Sequence, residues 1–170
     1  HVFIINPMAG PKDVHLLVEK EVEKLNIDYI IHVTTAPKEA TTFVRDYIKN
    51  NPDEEVRFYA CGGDGTINEV AAGVVGADTS KVSMTNYPIG SGNDYIKIFG
   101  GANVFMDLSK LVKAEGRPVD VMEVNEGLGY SINVLNFGFD CNVLKIMEKI
   151  KRNKNTTKEK AYNTAVLRCV

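Results

Sequence analysis

Hydrophobic residues alternate between two spacings along the first ninety residues of the chain. Short runs rich in β-branched and aromatic residues predict buried strands at 2–5, 29–33, 56–60 and 82–87. Between these runs, hydrophobic residues recur every three or four positions, which predicts helices near 14–25, 40–48 and 67–74. Strands that alternate with helices in this way are typical of an α/β fold with a parallel sheet.

The pattern changes near residue 115. Residues 117–124 and 129–136 predict two strands, and Asn125-Glu126-Gly127 between them is a hairpin signal. Helical spacing resumes over 143–150 and again from 161 onward. We therefore predict an α/β domain over residues 1–115, followed over 116–170 by the start of a mainly antiparallel β domain.

Composition limits the class of protein. Hydrophobic residues make up 44% of the 170 positions and charged residues 25%, which is typical of a globular protein. The net charge of −2 argues against a nucleic-acid partner. The sequence has three cysteines without a C-x-x-C pair and no leading signal peptide. It also has no apolar run near the ~20 residues that span a bilayer. These features predict a cytoplasmic protein.

A glycine-rich turn follows the third predicted strand and opens the third predicted helix. It consists of Gly62, Gly63, Asp64, Gly65 and Thr66. Glycines let a backbone approach a ligand closely, and the free N–H groups of a helix N-terminus favour phosphate. Asp64 is a candidate to hold Mg²⁺ through water or to orient a nucleophile. The alternative is a sharp turn with an aspartate cap.

Two further polar turns follow the first and fourth predicted strands. They are Asn6-Pro7-Met8-Ala9-Gly10 and Pro88-Ile89-Gly90-Ser91-Gly92-Asn93-Asp94. Each alone is as well explained by an ordinary turn. Ligands of parallel sheets bind at the carboxyl ends of strands, where all three turns are predicted to lie. The P-loop and G-x-G-x-x-G motifs are missing from the sequence.

Taken in order, the three motifs resemble the catalytic-domain family of diacylglycerol kinases, which includes bacterial lipid kinases and sphingosine and ceramide kinases. The motifs are Asn6-Pro7-x-x-Gly10, Gly62-Gly63-Asp64-Gly65-Thr66-x-Asn68-Glu69 and Pro88-x-Gly90-x-Gly92-Asn93-Asp94. Residues 136–140 are similar to part of the second domain of that family. The resemblance implies an α/β domain related to phosphofructokinase and NAD kinase, and transfer of the ATP γ-phosphate to a lipid hydroxyl such as that of diacylglycerol.

The resemblance also implies a nucleotide site with ATP and Mg²⁺. Its residues would be Asn6, Pro7, Gly10, Thr34, Gly62, Gly63, Asp64, Gly65, Thr66, Asn68, Glu69, Gly90, Ser91, Gly92, Asn93 and Asp94. Asp64 would be both catalytic and metal-binding, and Thr35 is the alternative to Thr34. Ser91 and Ala9 depart from the family, which has threonine and often serine there. The general base is expected outside this chain.

Partners follow from the same resemblance. A lipid substrate implies peripheral contact with the inner membrane face, and a homodimer is left open. The basic run over 149–160 predicts either contact with anionic lipid head groups or a solvated loop. Alternative functions are a kinase of a soluble substrate such as NAD, a catalytically inert nucleotide-binding fragment, and a domain that binds another phosphate ligand.

Overall fold

The computed structural model describes residues 1–126, 129–151 and 157–169. The strands are β1 (Val2–Ile5), β2 (Ile30–Val33), β3 (Val56–Gly62), β4 (Val82–Pro88), β5 (Met122–Val124) and β6 (Gly129–Ser131). The α-helices are α1 (Val14–Glu23), α2 (Glu39–Asn50), α3 (Asp64–Val74), α4 (Ala102–Phe105), α5 (Leu108–Leu111), α6 (Phe139–Lys151) and α7 (Lys158–Cys169), and Tyr95–Phe99 form a 3₁₀ helix.

The first four strands form one parallel sheet in the order β2-β1-β3-β4. The prediction of an α/β fold with a parallel sheet is therefore confirmed. β1 and β3 lie in the middle of the sheet, and all their residues are buried except Arg57. The order places the carboxyl ends of β1, β3 and β4 side by side, which brings the three polar turns to one edge.

Alternate strand residues build a hydrophobic cluster on each face of the sheet, because successive side chains of a strand point to opposite faces. Phe3 and Ile5 pack on one face with buried residues of α1 and α5. Val2 and Ile4 pack on the other face with buried residues of α2 and α3. The two helices on this second face approach closely: a Cβ at Gly73 would lie 2.6 Å from the Cβ of Val44.

The region after β4 differs in part from the prediction. β5 and β6 pair antiparallel, so the hairpin is confirmed, but each strand has three residues rather than eight. Pro118 lacks a donor for a strand ladder, which helps to explain why residues 117–121 are irregular. Asn125 and Glu126 have φ values of 46° and 50°, as a turn requires, while Gly127 lies outside the described residues. The 3₁₀ helix, α4 and α5 were not predicted.

Contacts divide the chain into two compact units, residues 1–133 and 134–170. In the second unit, α6 and α7 pack together through Val143, Met147, Ala161 and Ala165. The hairpin belongs to the first unit in this division, whereas we predicted a domain boundary at 115/116. The domain assignment stays a prediction.

Two expectations concern membranes. Within residues 1–126, 129–151 and 157–169, no helix has the length and apolar character needed to cross a bilayer. Residues 152–156 of the basic run over 149–160 lie outside the described residues, and the two interpretations of the run stay open.

Candidate functional site

The turns after β1, β3 and β4 are joined through backbone hydrogen bonds. The Asn6 N–H donates to the Cys61 carbonyl over 3.0 Å, which attaches the first turn to the end of β3. The Ile89 and Gly90 N–H groups both donate to the Gly62 carbonyl, over 3.1 and 3.2 Å. The structure thus brings together the three motifs that the sequence predicted to meet.

The Asn6 side chain connects the first turn to α3. Its Nδ2 donates to Oγ1 of the buried Thr66 over 3.2 Å, and its Oδ1 accepts from the Met8 N–H over 2.9 Å. Both ends of the amide therefore have partners within the protein. Pro7 and Gly10 are exposed beside it, and Gly10 has a φ of 84°, which favours glycine.

Gly62 and Gly90 are required by packing. A Cβ at Gly62 would lie 2.1 Å from Thr66 Oγ1, and a Cβ at Gly90 would lie 2.5 Å from the Gly63 Cα. Both distances are too short for a non-bonded contact, so a Cβ at either position would force its neighbours to move. The turn after β4 can approach the turn after β3 because Gly90 lacks a side chain, and Gly62 leaves room for the Thr66 side chain of α3.

Gly63 and Gly65 differ, because the chain's own packing does not require them. Gly63 has a φ of −102°, and a Cβ there would make an ordinary contact 3.5 Å from the Gly90 Cα. A Cβ at Gly65 would meet no atom of the described residues outside its own helix within 4 Å. Both residues lie at the start of α3, where the first N–H groups lack acceptors within the helix and the helix dipole favours anions. The two missing side chains leave this backbone open to a ligand.

Asp64 occupies the first position of α3. Its Oδ1 accepts from the Tyr95 N–H over 3.0 Å, and a Cβ at Gly92 would lie 2.9 Å from its Oδ2. The carboxylate thus ties the glycine turn to the 3₁₀ helix, which is a structural role other than an aspartate cap. No side-chain pattern indicates this partner, because the donor is a backbone N–H.

Asn93 has a side-chain oxygen that faces the place where the turns after β3 and β4 approach each other. Its Nδ2 donates to the Gly90 carbonyl over 2.7 Å, and its φ is 54°. Its Oδ1 is buried and has no hydrogen-bond partner among the described residues. This oxygen would lie 3.9 Å from a Cβ at Gly63. An unpaired oxygen thus faces the open glycine backbone.

The rest of the third turn is exposed to solvent at Ser91, Gly92 and Asp94. Asp94 forms an ion pair with Lys97. The hydrogen bond from Lys97 to Asp94 raises the pKa of the lysine, and the pair places one positive and one negative charge beside the turns.

Comparison with known proteins identifies the family. The family model described as the diacylglycerol kinase catalytic domain matches residues 1–124. This chain belongs to the diacylglycerol kinase catalytic-domain family. The resemblance drawn from the motifs is confirmed.

Relatives of this family member carry lipid kinase names. The chain is 33% identical to the "Probable lipid kinase YegS-like" of Klebsiella pneumoniae (strain 342), over 74% of this chain and 41% of the relative. It is 29% identical to a diacylglycerol kinase of Bacillus subtilis (strain 168), over 79% of this chain and 44% of the relative. The chain thus spans less than half of each of these relatives.

A solved structure supports the same assignment. The crystal structure of a diacylglycerol kinase from Bacillus anthracis str. Sterne is similar with a TM-score of 0.55 and 26% identity, over 71% of this chain and 41% of that chain. The α/β fold of this chain is therefore the fold of a diacylglycerol kinase relative.

Thr34 follows β2 and is buried. Its N–H and its hydroxyl both donate to the Ile5 carbonyl, over 2.9 and 3.3 Å. These bonds hold the end of β2 against the end of β1, beside the Asn6 turn. The structure therefore shows an inward-facing hydroxyl at Thr34, and a nucleotide contact there stays a prediction.

The turn between Thr34 and α2 is ordered by Glu39. Its Oε2 accepts from the Thr35 N–H and hydroxyl, each over 2.7 Å, and from the Ala36 N–H over 3.0 Å. Its Oε1 lies 3.0 Å from Nε2 of His32. Sequence reasoning missed this residue, because the four-residue separation of Thr35 and Glu39 does not match the S/T-x-x-E spacing of a capping box.

Asn68 and Glu69 complete the glycine motif of the family, but their contacts here are with the scaffold. Asn68 Nδ2 donates to the Tyr130 carbonyl and Asn68 Oδ1 accepts from the Ile132 N–H, both over 3.1 Å. The Glu69 carbonyl accepts from the Thr41 hydroxyl over 2.8 Å. Asn68 thus joins α3 to the end of the hairpin, and a direct role of either residue in nucleotide binding stays a prediction.

Cys61 immediately precedes the glycine turn but is not equipped as a nucleophile. It is fully buried, and desolvation raises the pKa of its thiol. A thiol that stays protonated is a weak nucleophile, so Cys61 acts as a core residue.

The Asp64 bond predicts a difference between two substitutions. Asp64→Asn keeps an oxygen that can accept from Tyr95 N–H, whereas Asp64→Ala removes it. We expect Asp64→Ala to be less stable than Asp64→Asn by about 1 kcal/mol or more in urea denaturation. Asp94→Asn, which alters only an exposed ion pair, is the control and should change stability little. Equal stability of the two Asp64 variants would contradict the structural role.

Glu39 predicts a pH dependence of its turn. The hydrogen bond from the Thr35 hydroxyl is the main cause that lowers the pKa of Glu39, with further contributions from backbone donors. Because the folded pKa is below the ordinary value, the turn is fully ordered above that value and loosens as pH falls through the lowered pKa. Amide chemical shifts of Thr35 and Ala36 should report this change in NMR.

The matched control for this pH titration is Glu39→Gln, which keeps an amide oxygen as acceptor but has no carboxyl group to titrate. Its Thr35 and Ala36 amide shifts should not follow the acidic titration of the native chain. If the native amides are insensitive to pH below 5, Glu39 does not order the turn.

Proposed function

We propose that this chain binds ATP and that the protein transfers the γ-phosphate to a lipid hydroxyl, such as that of diacylglycerol. The observation that carries the proposal is the pair Gly63 and Gly65 at the start of α3. Neither residue needs to be glycine for the fold, so the space they leave is best explained by a phosphate group in contact with the backbone.

The surrounding groups suit a nucleotide. The free N–H groups at the start of α3 would donate to phosphate oxygens. The Lys97 ammonium group, which is paired with Asp94, lies beside the turns and could turn to a phosphate oxygen. The Asn93 Oδ1 would repel a phosphate oxygen, so it suits a donor instead, such as a ribose hydroxyl or a metal-bound water.

Mg²⁺ fits the site only as an ion shared with the nucleotide. Within the described part of the chain, no group of three or more His, Cys, Asp and Glu side chains is placed to hold a metal ion. Mg²⁺ bound with nucleotides commonly takes one or two carboxylates, with phosphate and water oxygens for the rest. Asp64 would supply the carboxylate through Oδ2, and the ion would neutralise charge on the transferred phosphate.

A lipid acceptor defines where the protein would work. The hydroxyl of diacylglycerol lies at a bilayer surface, so the protein would act as a peripheral protein on the inner membrane face. The family of the chain and the lipid kinase names of its relatives support this part of the proposal. The homodimer stays a prediction.

A second candidate is a nucleotide-binding module without catalysis. The bond from Tyr95 N–H to Asp64 favours it in one respect, because it gives the carboxylate a structural use. The presence of Asp64 is thus not by itself an argument for phosphoryl transfer. A kinase of a soluble substrate such as NAD is the remaining alternative.

The glycine pair predicts opposite effects on binding and stability. Gly65→Ala adds a methyl group in open space within a helix, so it should leave the thermal midpoint Tm unchanged or raise it. The same methyl would block a phosphate, and we expect ATP affinity to fall at least tenfold, which is about 1.4 kcal/mol. Gly63→Ala should weaken binding similarly. Calorimetry with and without Mg²⁺ measures the affinities.

The matched control is Gly116→Ala, an exposed glycine where a Cβ would come no nearer than 4.0 Å to Ser83. Its ATP affinity should equal that of the native chain. The phosphate site is wrongly placed if Gly63→Ala and Gly65→Ala also bind ATP normally.

The acceptor is tested by incubating the protein with radiolabelled ATP, Mg²⁺ and a panel of acceptors. The panel contains diacylglycerol, a sphingoid base, a polyprenyl alcohol and NAD. We expect label on a lipid, and Asp64→Asn should reduce the rate by orders of magnitude. Label on NAD alone would support the soluble-substrate alternative. ATP binding without transfer to any acceptor would support the non-catalytic module.

A further inference from the structure

A polar side chain is buried in the apolar face of the sheet beneath α3. Asn86 of β4 is 1% exposed. Val82 and Met84 of the same strand pack in the cluster with α2 and α3, whereas Tyr87 packs on the opposite face. Because side chains alternate along a strand, the Asn86 amide points into the layer that α2 and α3 cover.

Neither end of this amide has a hydrogen-bond partner in the part of the chain that the structure describes. Nδ2 and Oδ1 are both buried, and neither makes a hydrogen bond within residues 1–126, 129–151 and 157–169. Buried polar groups in proteins are almost always paired, because an amide that loses its water without replacement is strongly destabilising. Asn86 therefore needs a partner that is not one of these side chains or backbone groups.

Other buried polar side chains of this layer and its turns show the ordinary situation. The Thr34 hydroxyl donates to the Ile5 carbonyl, and the Thr66 hydroxyl accepts from Asn6. Asn86 is more deeply buried than Thr34 and Thr66 but makes no equivalent contact with any described residue. Its surroundings are apolar: Ala60 is its neighbour in the β3–β4 register, and Ile67 and Val70 of α3 lie in the same cluster.

We propose that Asn86 binds an internal water molecule between β4 and the helix layer. A water molecule is the smallest partner that satisfies the amide, because it can accept from Nδ2 and donate to Oδ1 at once. A side chain of another protein or a larger ligand cannot reach a residue that is 1% exposed. The water belongs to the scaffold and does not depend on the proposed function.

The position of this water site connects it to the candidate nucleotide site. Asn86 lies two residues before Pro88, where the third turn begins, and Ala60 lies two residues before Gly62. The water would therefore lie beneath the carboxyl ends of β3 and β4. The water bound to Asn86 would occupy the layer directly beneath the place where the turns after β3 and β4 approach each other.

A crystal structure of the chain at about 1.5 Å resolution tests the proposal directly. The expected result is a density peak within hydrogen-bond distance of both Asn86 Nδ2 and Oδ1, at about 2.7–3.2 Å. Absence of such a peak in a well-ordered region overturns the proposal. A peak explained by a protein atom of a rearranged side chain also overturns it.

Asn86→Leu gives a second measurement in solution. If the amide is hydrated, leucine displaces the water and its hydrogen bonds, and we expect a Tm equal to or below that of the native chain. If the amide has no partner, leucine removes an unpaired polar group, and a higher Tm overturns the proposal. Met84→Leu, on the same strand and face, controls for the effect of reshaping the apolar layer. If Asn86→Leu does not fold, the crystallographic measurement decides alone.

Discussion

The close approach of two backbones, at Gly63 and Gly90, is the constraint on which the candidate site depends. A Cβ at Gly90 would lie 2.5 Å from the Gly63 Cα, and the Gly62 carbonyl accepts two N–H groups from the turn after β4. Any side chain at Gly90 would separate the turns. Their separation would remove the Asp64 bond to Tyr95 and move the Asn93 oxygen away from the start of α3.

The glycines of the motif divide into two kinds, and the division has a functional meaning. Gly62 and Gly90 serve the protein's own packing, so their presence reveals nothing about a ligand. Gly63 and Gly65 face open space or ordinary contacts, so the fold leaves them unexplained. Some glycines of this diacylglycerol kinase family motif are therefore needed for packing, whereas others leave space for a ligand. Substitution by alanine can separate the two roles.

Polar residues of the motif likewise act on one another before they act on any ligand. Asn6 is hydrogen-bonded to Thr66, Asp64 to the 3₁₀ helix, and Asn68 to the end of the hairpin. These bonds fix the turns in advance, so a nucleotide would meet a site that is already ordered. A prearranged site loses less conformational entropy on binding than a flexible one.

The sequence by itself determined the α/β class, the four parallel strands and the three turns, because hydrophobic spacing and turn residues act over short stretches of chain. Its motifs also identified the family and the residues of the candidate site. Tertiary structure decided which polar atoms are already paired, such as Asp64 with Tyr95 and Glu39 with the Thr35 turn. It also left both ends of the Asn86 amide without a partner among the described residues. It also shortened the predicted strands after residue 116 to three residues each. The physical reason is that a hydrogen bond needs both partners in position. Residues such as Asp64 and Tyr95, 31 positions apart, meet only when the sheet places two turns at the same edge.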